Sequence, residues 1–281
     1  MQNNNKSLVL FDVSLRDGLQ GANVNDYPTI KKKEIIDKLI SDNICDSIEF
    51  GAIVSNKILP IMSDTLELFD YIKDNKNKKF YVLVPPSMDK FKIALDSGIK
   101  NMSFITSVSN EFQLKNTNKT IEQTKEILKN MLERIESVED STLFKIKLYI
   151  SCITHCPIVG KMNNNLIINE IMYYNNNYKF DELCLSDTTG NLNYEDFKYI
   201  IDSIVKSGVN VDKISLHLHI SDEETLKTEK ILQYCFFSKI KKFDVSLIDT
   251  GGCFVTMDSN FMKKNLSYDM ILKLRDNYTY S

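Results

Sequence analysis

Arginine and histidine are scarce in this 281-residue chain, with three of each (Arg16, Arg134 and Arg275; His155, His217 and His219). Cationic charge comes from lysines scattered through helix-like segments, and 35 basic against 38 acidic side chains leave a net charge of −3. No basic stripe exists, which excludes nucleic acid as the main partner. No apolar run approaches the ~20 residues of a membrane span. The six cysteines (Cys45, Cys152, Cys156, Cys184, Cys235 and Cys253) are too sparse for a disulfide scaffold and are read as reduced thiols. Cys152 and Cys156 resemble half of a metal clip, but no second pair completes it. The opening "MQNNNKS" has neither an apolar signal core nor an Arg-rich amphipathic pattern, and the final "YTYS" matches no retention or peroxisomal signal, so the expected location is cytoplasmic.

What the chain does have is an alternation. Apolar, β-rich runs at 8–13, 46–50, 79–84, 101–106, 144–151, 181–185, 213–219 and 243–248 are separated by helical patterns near 29–43, 61–74, 87–97, 119–135, 164–175, 193–207, 221–236 and 266–277. "YEDFKYIIDSIVKSG" carries the 3.6-residue period and ends on Gly208, as a helix C-terminus does. Eight strand-then-helix units in one chain predict an α/β fold, a single (β/α)8 TIM barrel over residues 1–281. An open doubly wound sheet is the alternative, but no G-x-G-x-x-G follows the first strand.

Barrel active sites lie at the C-terminal ends of the strands. The strand ends deliver Arg16 and Asp17, Glu49, Asp187, His217 and His219, and Cys253. His217 and His219 are two residues apart, so both imidazoles share one strand face and Leu216 and Leu218 take the other. Two convergent imidazoles suit a divalent metal; the alternative is two buried histidines, each satisfied by a backbone carbonyl. In a closed barrel Asp17 lies near strand seven and becomes a third ligand, or else a turn aspartate before Gly18. A mixed nitrogen and oxygen set favours Mg2+ or Mn2+, with Zn2+ or Co2+ also able to bind. Arg16 either pairs with a surface carboxylate or suits a developing oxyanion beside Asp17, and Glu49 is placed to hold it. Asp187 is placed to orient substrate or a ligand histidine. Cys253, after two glycines, is either an acid or nucleophile over the barrel mouth or a small residue tucked beneath its loop.

Together these segments resemble the metal-dependent barrel lyases and condensing enzymes of the 3-hydroxy-3-methylglutaryl-CoA lyase and 2-isopropylmalate/homocitrate synthase group. "RDGLQ" (16–20), "SIEFGAIVSNKILPIMSD" (47–64), "YVLVP" (81–85), "SVSNEFQLKNTNKTIEQT" (107–124), "YISCITHCPIVGK" (149–161), "LSDTTG" (185–190), "HLH" (217–219) and "GGC" (251–253) carry the likeness. The cysteine loop is the feature that favours the lyases over the synthases. Two stretches depart from the family's pattern: "ISDEE" at 220–224 and "FVTMDSNFMKKN" at 254–265.

The resemblance implies that Asp17, His217, His219 and an asparagine, Asn265 or alternatively Asn260, ligate the cation. It implies that Arg16 stabilises an acetyl-CoA enolate and that Cys253 protonates or shields it, with His217 or Asp17 as base. The implied activity is that of an oxo-acid lyase cleaving 3-hydroxy-3-methylglutaryl-CoA to acetyl-CoA and acetoacetate, with an acyl-CoA as its partner and a homodimer as its assembly. The alternatives are a related lyase, aldolase or condensing enzyme for another hydroxy acid, and an inactive barrel used as a binding scaffold. Retention of Arg16, Asp17, Glu49, Asp187, both histidines and Cys253 argues against the last.

Overall fold

Eight parallel strands pair in chain order: β1 (Val9–Asp12), β2 (Ser47–Ala52), β3 (Lys79–Leu83), β4 (Asn101–Ser107), β5 (Lys145–Ser151), β6 (Glu182–Asp187), β7 (Ile214–Ile220) and β8 (Lys242–Val245). β8 pairs with β7 through Lys242↔Ser215 and Phe243↔Leu216, and with β1 from Val9↔Lys242 to Asp12↔Val245. The sheet is therefore closed into the expected (β/α)8 barrel. This is a computed structural model, and it describes residues 8–251, 256–257 and 262–279.

The helices between the strands are α1 (Thr29–Asp42), α2 (Thr65–Ile72), α3 (Met88–Asp96), α4 (Asn110–Thr117), α5 (Ile121–Glu136), α6 (Asn164–Asn177), α7 (Tyr194–Lys206), α8 (Thr225–Phe237) and α9 (Tyr268–Thr279). Their causes are local. Thr120 and Gln123 form a reciprocal capping box that starts α5. Asn193 accepts from the Asp196 amide to start α7, which buries Phe197, Ile200, Ile201 and Ile204 as one stripe. Gly208, with φ at 101°, follows that helix's end. One helix, α4, was not among the helical patterns read from the sequence. Ser109 caps it by accepting from the Phe112 amide at 3.2 Å, and it buries Phe112 and Gln113.

The barrel interior departs from the usual filling of branched aliphatic side chains. Lys147 of β5 crosses to Asp244 of β8 and to Glu182 of β6, and its ammonium lies 3.6 Å from the centre of the Phe11 ring on β1. Tyr149, also on β5, reaches Glu49 of β2 and Asp244. Apolar residues instead fill the layer between strands and helices, where Leu216 and Leu218 are buried. An ionic network inside the barrel thus supports whatever sits at its mouth.

Candidate active site

β1 ends in a turn made rigid by its own sequence. The amides of Arg16 and Gly18 both donate to the Val13 carbonyl, and Leu15 and Leu19 are buried as anchors. Gly18 is needed because a Cβ there would stand 2.6 Å from the Ser14 carbonyl oxygen. The turn delivers Arg16 and Asp17 side by side, both buried. Arg16 Nη1 donates to Asp17 Oδ1 at 2.6 Å, and its Nε donates to Glu49 Oε2 at 2.5 Å. Glu49 is aimed inward at an irregularity in the β2–β3 register between Glu49 and Gly51. The guanidinium lies over the Tyr149 ring, 4.9 Å from its centroid. Planar, doubly paired and stacked, it is held in one orientation.

His217 and His219 point from β7 into the same space, with ring centroids 4.8 Å apart. His219 Nδ1 lies 2.7 Å from the main-chain carbonyl of Asp187, and His217 Nδ1 lies 3.1 Å from Asp244 Oδ2. Those partners only accept, so both Nδ1 atoms carry hydrogen. Each ring therefore turns Nε2 toward Asp17 Oδ2, at 3.6 Å from His217 and 3.2 Å from His219. Three electron-pair donors facing one another require a proton or a cation among them. Burial disfavours the charged ring, yet Asp17 and Asp244 outweigh it and push His217 up to about 9. Burial likewise opposes ionisation of Asp17, but Arg16 and His217 hold its carboxyl well below the usual range.

The donor set fits a divalent ion. Asp17, His217 and His219 are buried, offer ligand atoms within 4.8 Å of one another, and form the one such group found among the described residues. Asn265 adds an oxygen. It lies on the two-residue strand Lys264–Asn265, whose antiparallel register sets it opposite His219. Its Nδ2 donates to the Thr250 carbonyl at 3.0 Å, while its buried Oδ1 has no hydrogen-bond partner among the described residues. A buried amide oxygen without a donor is costly unless something else satisfies it. One carboxylate, two imidazoles and an amide oxygen match a mixed N/O site.

The three donors open into a cleft of about 460 Å3. Val54, Ile58, Leu83, Ile105 and Phe112 give it an apolar wall, and Lys90, Lys115 and Lys119 also line it. Residues 7–227 match the family model described as HMGL-like. It belongs to the HMGL-like family. The mitochondrial hydroxymethylglutaryl-CoA lyase of Arabidopsis thaliana is 26% identical over 248 residues, which is 88% of this chain and 50% of that protein. The chain thus spans half the length of that relative. The 3-hydroxy-3-isohexenylglutaryl-CoA/hydroxymethylglutaryl-CoA lyase of Pseudomonas aeruginosa is 26% identical over 254 residues, 88% of this chain and 79% of that protein. In fold, the HMG-CoA lyase from Acinetobacter baumannii, solved with coenzyme A and 3-methylmalate, superposes with a TM-score of 0.84 at 22% identity, covering 100% of this chain and 87% of that one.

In this HMGL-like barrel, Arg16, Asp17, Glu49, His217 and His219 meet at one point, with Asn265 beside His219. Asp187 acts through two different groups. Its carboxylate accepts from the Asn191 and Leu192 amides, both at 3.1 Å, and so pins its own loop. It orients His219 through its carbonyl rather than its side chain. Cys253 and Asn260 lie outside the described residues. Cys45, Cys184 and Cys235 are buried, as expected of core thiols. Cys152 and Cys156 are also buried and free, and the Cys156 thiol donates to Ser109 Oγ at 3.2 Å.

Sequence reading missed Tyr149, Lys147 and Asp244. Alternation along "KIKLYIS" puts Lys147, Tyr149 and Ser151 on one face, which was the available signal. The two stretches that depart from the family's pattern meet in space, because Lys263 pairs with Glu224 at 2.6 Å. Lys263 also donates to the Gly190 carbonyl at 3.0 Å, so two neighbouring loops are joined next to Asn265.

Proposed function

We propose that this chain is a divalent-metal-dependent carbon–carbon lyase that cleaves 3-hydroxy-3-methylglutaryl-CoA to acetyl-CoA and acetoacetate, residues 1–281 forming its catalytic domain. The observation that carries this reading is the buried Asp17–His217–His219 cluster with the Arg16 guanidinium paired to it at the foot of an open cleft. Asp17, His217, His219 and Asn265 would hold the cation, Mg2+ or Mn2+ by donor type. When bound, it supplies Lewis acidity that makes the substrate's tertiary hydroxyl easier to deprotonate.

The chain's own groups account for the remainder. Of the two candidate bases, Asp17 is held well below the usual carboxylate range, and His217, whose Nδ1 faces Asp244, would take the hydroxyl proton at Nε2 only when that nitrogen is not holding the cation. Loss of the hydroxyl proton lets the oxygen's electron pair form the new carbonyl of acetoacetate. The adjacent C–C bond breaks, and its electrons become the enolate of acetyl-CoA. Arg16, fixed by Glu49, Asp17 and Tyr149, offers a charged donor to that enolate oxygen without reorganising. Cys253 is the proposed acid that returns a proton to carbon. Lys90, Lys115 and Lys119 suit the phosphates of coenzyme A, the ligand held by the Acinetobacter enzyme.

A second reading changes only the group on the substrate's C3. The apolar wall of Val54, Ile58, Leu83, Ile105 and Phe112 suits a branch longer than methyl, and the Pseudomonas relative's name includes an isohexenyl substrate. Purified protein incubated with Mn2+ and a panel of 3-hydroxyglutaryl-CoA thioesters, followed by mass spectrometry, separates the two. The C3-methyl substrate should yield acetoacetate and acetyl-CoA. Turnover confined to longer branches would move the assignment to the second reading, and no cleavage of any would end both.

A further inference from the structure

The group behind His217 is as well built as the one in front of it. Asp244 Oδ2 faces His217 Nδ1 at 3.1 Å, and Asp244 Oδ1 accepts from the ammonium of Lys147. Lys147 is 1% exposed and also pairs with Glu182 at 3.0 Å. Tyr149 stands between the two halves of the site. Its hydroxyl is 2.9 Å from Asp244 Oδ2 and 3.2 Å from Glu49 Oε2, the same oxygen that receives Arg16 Nε. Its ring supports the Arg16 guanidinium and meets the edge of His217, with centroids 5.8 Å apart.

A phenol has one proton to donate, and both of its neighbours here only accept. Flanked by two carboxylate oxygens, the hydroxyl keeps its proton and donates it. The shorter contact gives the donated bond to Asp244. With that bond in place, Asp244 has both oxygens engaged by Lys147, Tyr149 and His217, and the imidazole has no freedom to rotate.

We propose that Asp244 and Tyr149 are positioning residues that lock His217 with Nε2 toward Asp17 and hold that ligand in register with the Arg16 clamp, on a base formed by Lys147. This rests on the metal-dependent reading above. Partners of this kind behind metal-bound histidines are worth about 10- to 100-fold in metal affinity.

Tyr149→Phe is the decisive variant, since it keeps the ring under Arg16 and removes only the hydroxyl. Calorimetric titration of the full chain with Mn2+ alone should show a Kd about tenfold higher than wild type. Its melting temperature should stay within a few degrees, and kcat on the acyl-CoA should fall with KM changed less than about threefold. Asp244→Asn gives an independent readout: the Kd for Mn2+ should likewise rise about tenfold, with KM on the acyl-CoA changed less than about threefold. If wild type binds Mn2+ and Tyr149→Phe binds it equally well with kcat unchanged, the positioning role is overturned and the metal site stands. If wild type itself binds no Mn2+, the metal-dependent reading fails, and this inference fails with it.

Discussion

Arg16 and Asp17 are chain neighbours that form a buried ion pair, Nη1 to Oδ1 at 2.6 Å, while Oδ2 of the same carboxylate is turned to the histidines. One aspartate therefore joins the guanidinium clamp to the proposed metal ligands. Replacing Arg16 by Lys keeps the charge but loses the fork that serves Glu49 and Asp17 together. Steady-state kinetics should show kcat reduced by about 10²- to 10³-fold, the usual cost of one oxyanion donor. Mn2+ binding should change far less, because the three ligand side chains remain.

The ligand assignment has its own test. His219→Ala removes one Nε2 and leaves Asp17 facing His217 alone. Metal analysis of the purified variant should find well under one equivalent of Mn2+ after dialysis, against one for wild type. Equal metal content would remove His219 from the site.

Proton and metal compete for the same nitrogen. His217 is pushed up to about 9, so at neutral pH without metal its Nε2 carries a proton that a cation must displace. The sign follows: apparent Mn2+ affinity should rise with pH up to about 9, changing by about tenfold per pH unit below it, because one proton leaves for each ion bound. Titrations between pH 6 and 8 check this. A pH-independent affinity would show that His217 is already neutral.

Gly251 touches the proposed fourth ligand. A Cβ there would come within 2.3 Å of Asn265 Nδ2, so Gly251→Ala must displace that amide. The closest displaced atoms belong to a side chain, with the Asn265 backbone nitrogen farther away at 3.2 Å. We expect weaker Mn2+ binding with a melting temperature close to wild type.

Stability carries a separate pH signature in Asp12. Burial outweighs its hydrogen bonds with Tyr268 and Ser14 and raises it from 3.8 to about 6. A raised carboxyl favours folding when protonated, so its contribution is fully present below about 4 and is lost as pH rises through about 6. Asp12→Asn removes that loss and leaves hydroxyls able to turn and accept. In urea melts the variant should gain on wild type between pH 5 and pH 7.

The barrel was legible because each parallel strand is a short apolar run and each helix has its own period and cap. The clearest site signal was also periodic: "HLH" puts His217 and His219 on one face whatever surrounds them. Glu49 as the partner of Arg16 followed from both lying at neighbouring strand ends. What stayed hidden depended on contacts across the barrel. Asp244 lies on a short strand whose inward face no local pattern marks, and its bond to His217 spans 27 residues. The two roles of Asp187 could not be separated in sequence: its carboxylate serves its own loop's amides, while its main-chain carbonyl faces His219. The helix at 110–117 was missed because it has no apolar stripe at the helical period, and only the Ser109 cap announces it.

The central claim is that the C–C bond breaks to leave a thioester enolate that is then protonated on carbon. NMR in D2O of 3-hydroxy-3-methylglutaryl-CoA with Mn2+-loaded protein tests it directly. The prediction is one equivalent of acetoacetate and acetyl-CoA carrying one deuteron in its methyl group. Release of free coenzyme A with the six-carbon acid intact, or unchanged substrate over a metal-loaded site, would contradict it.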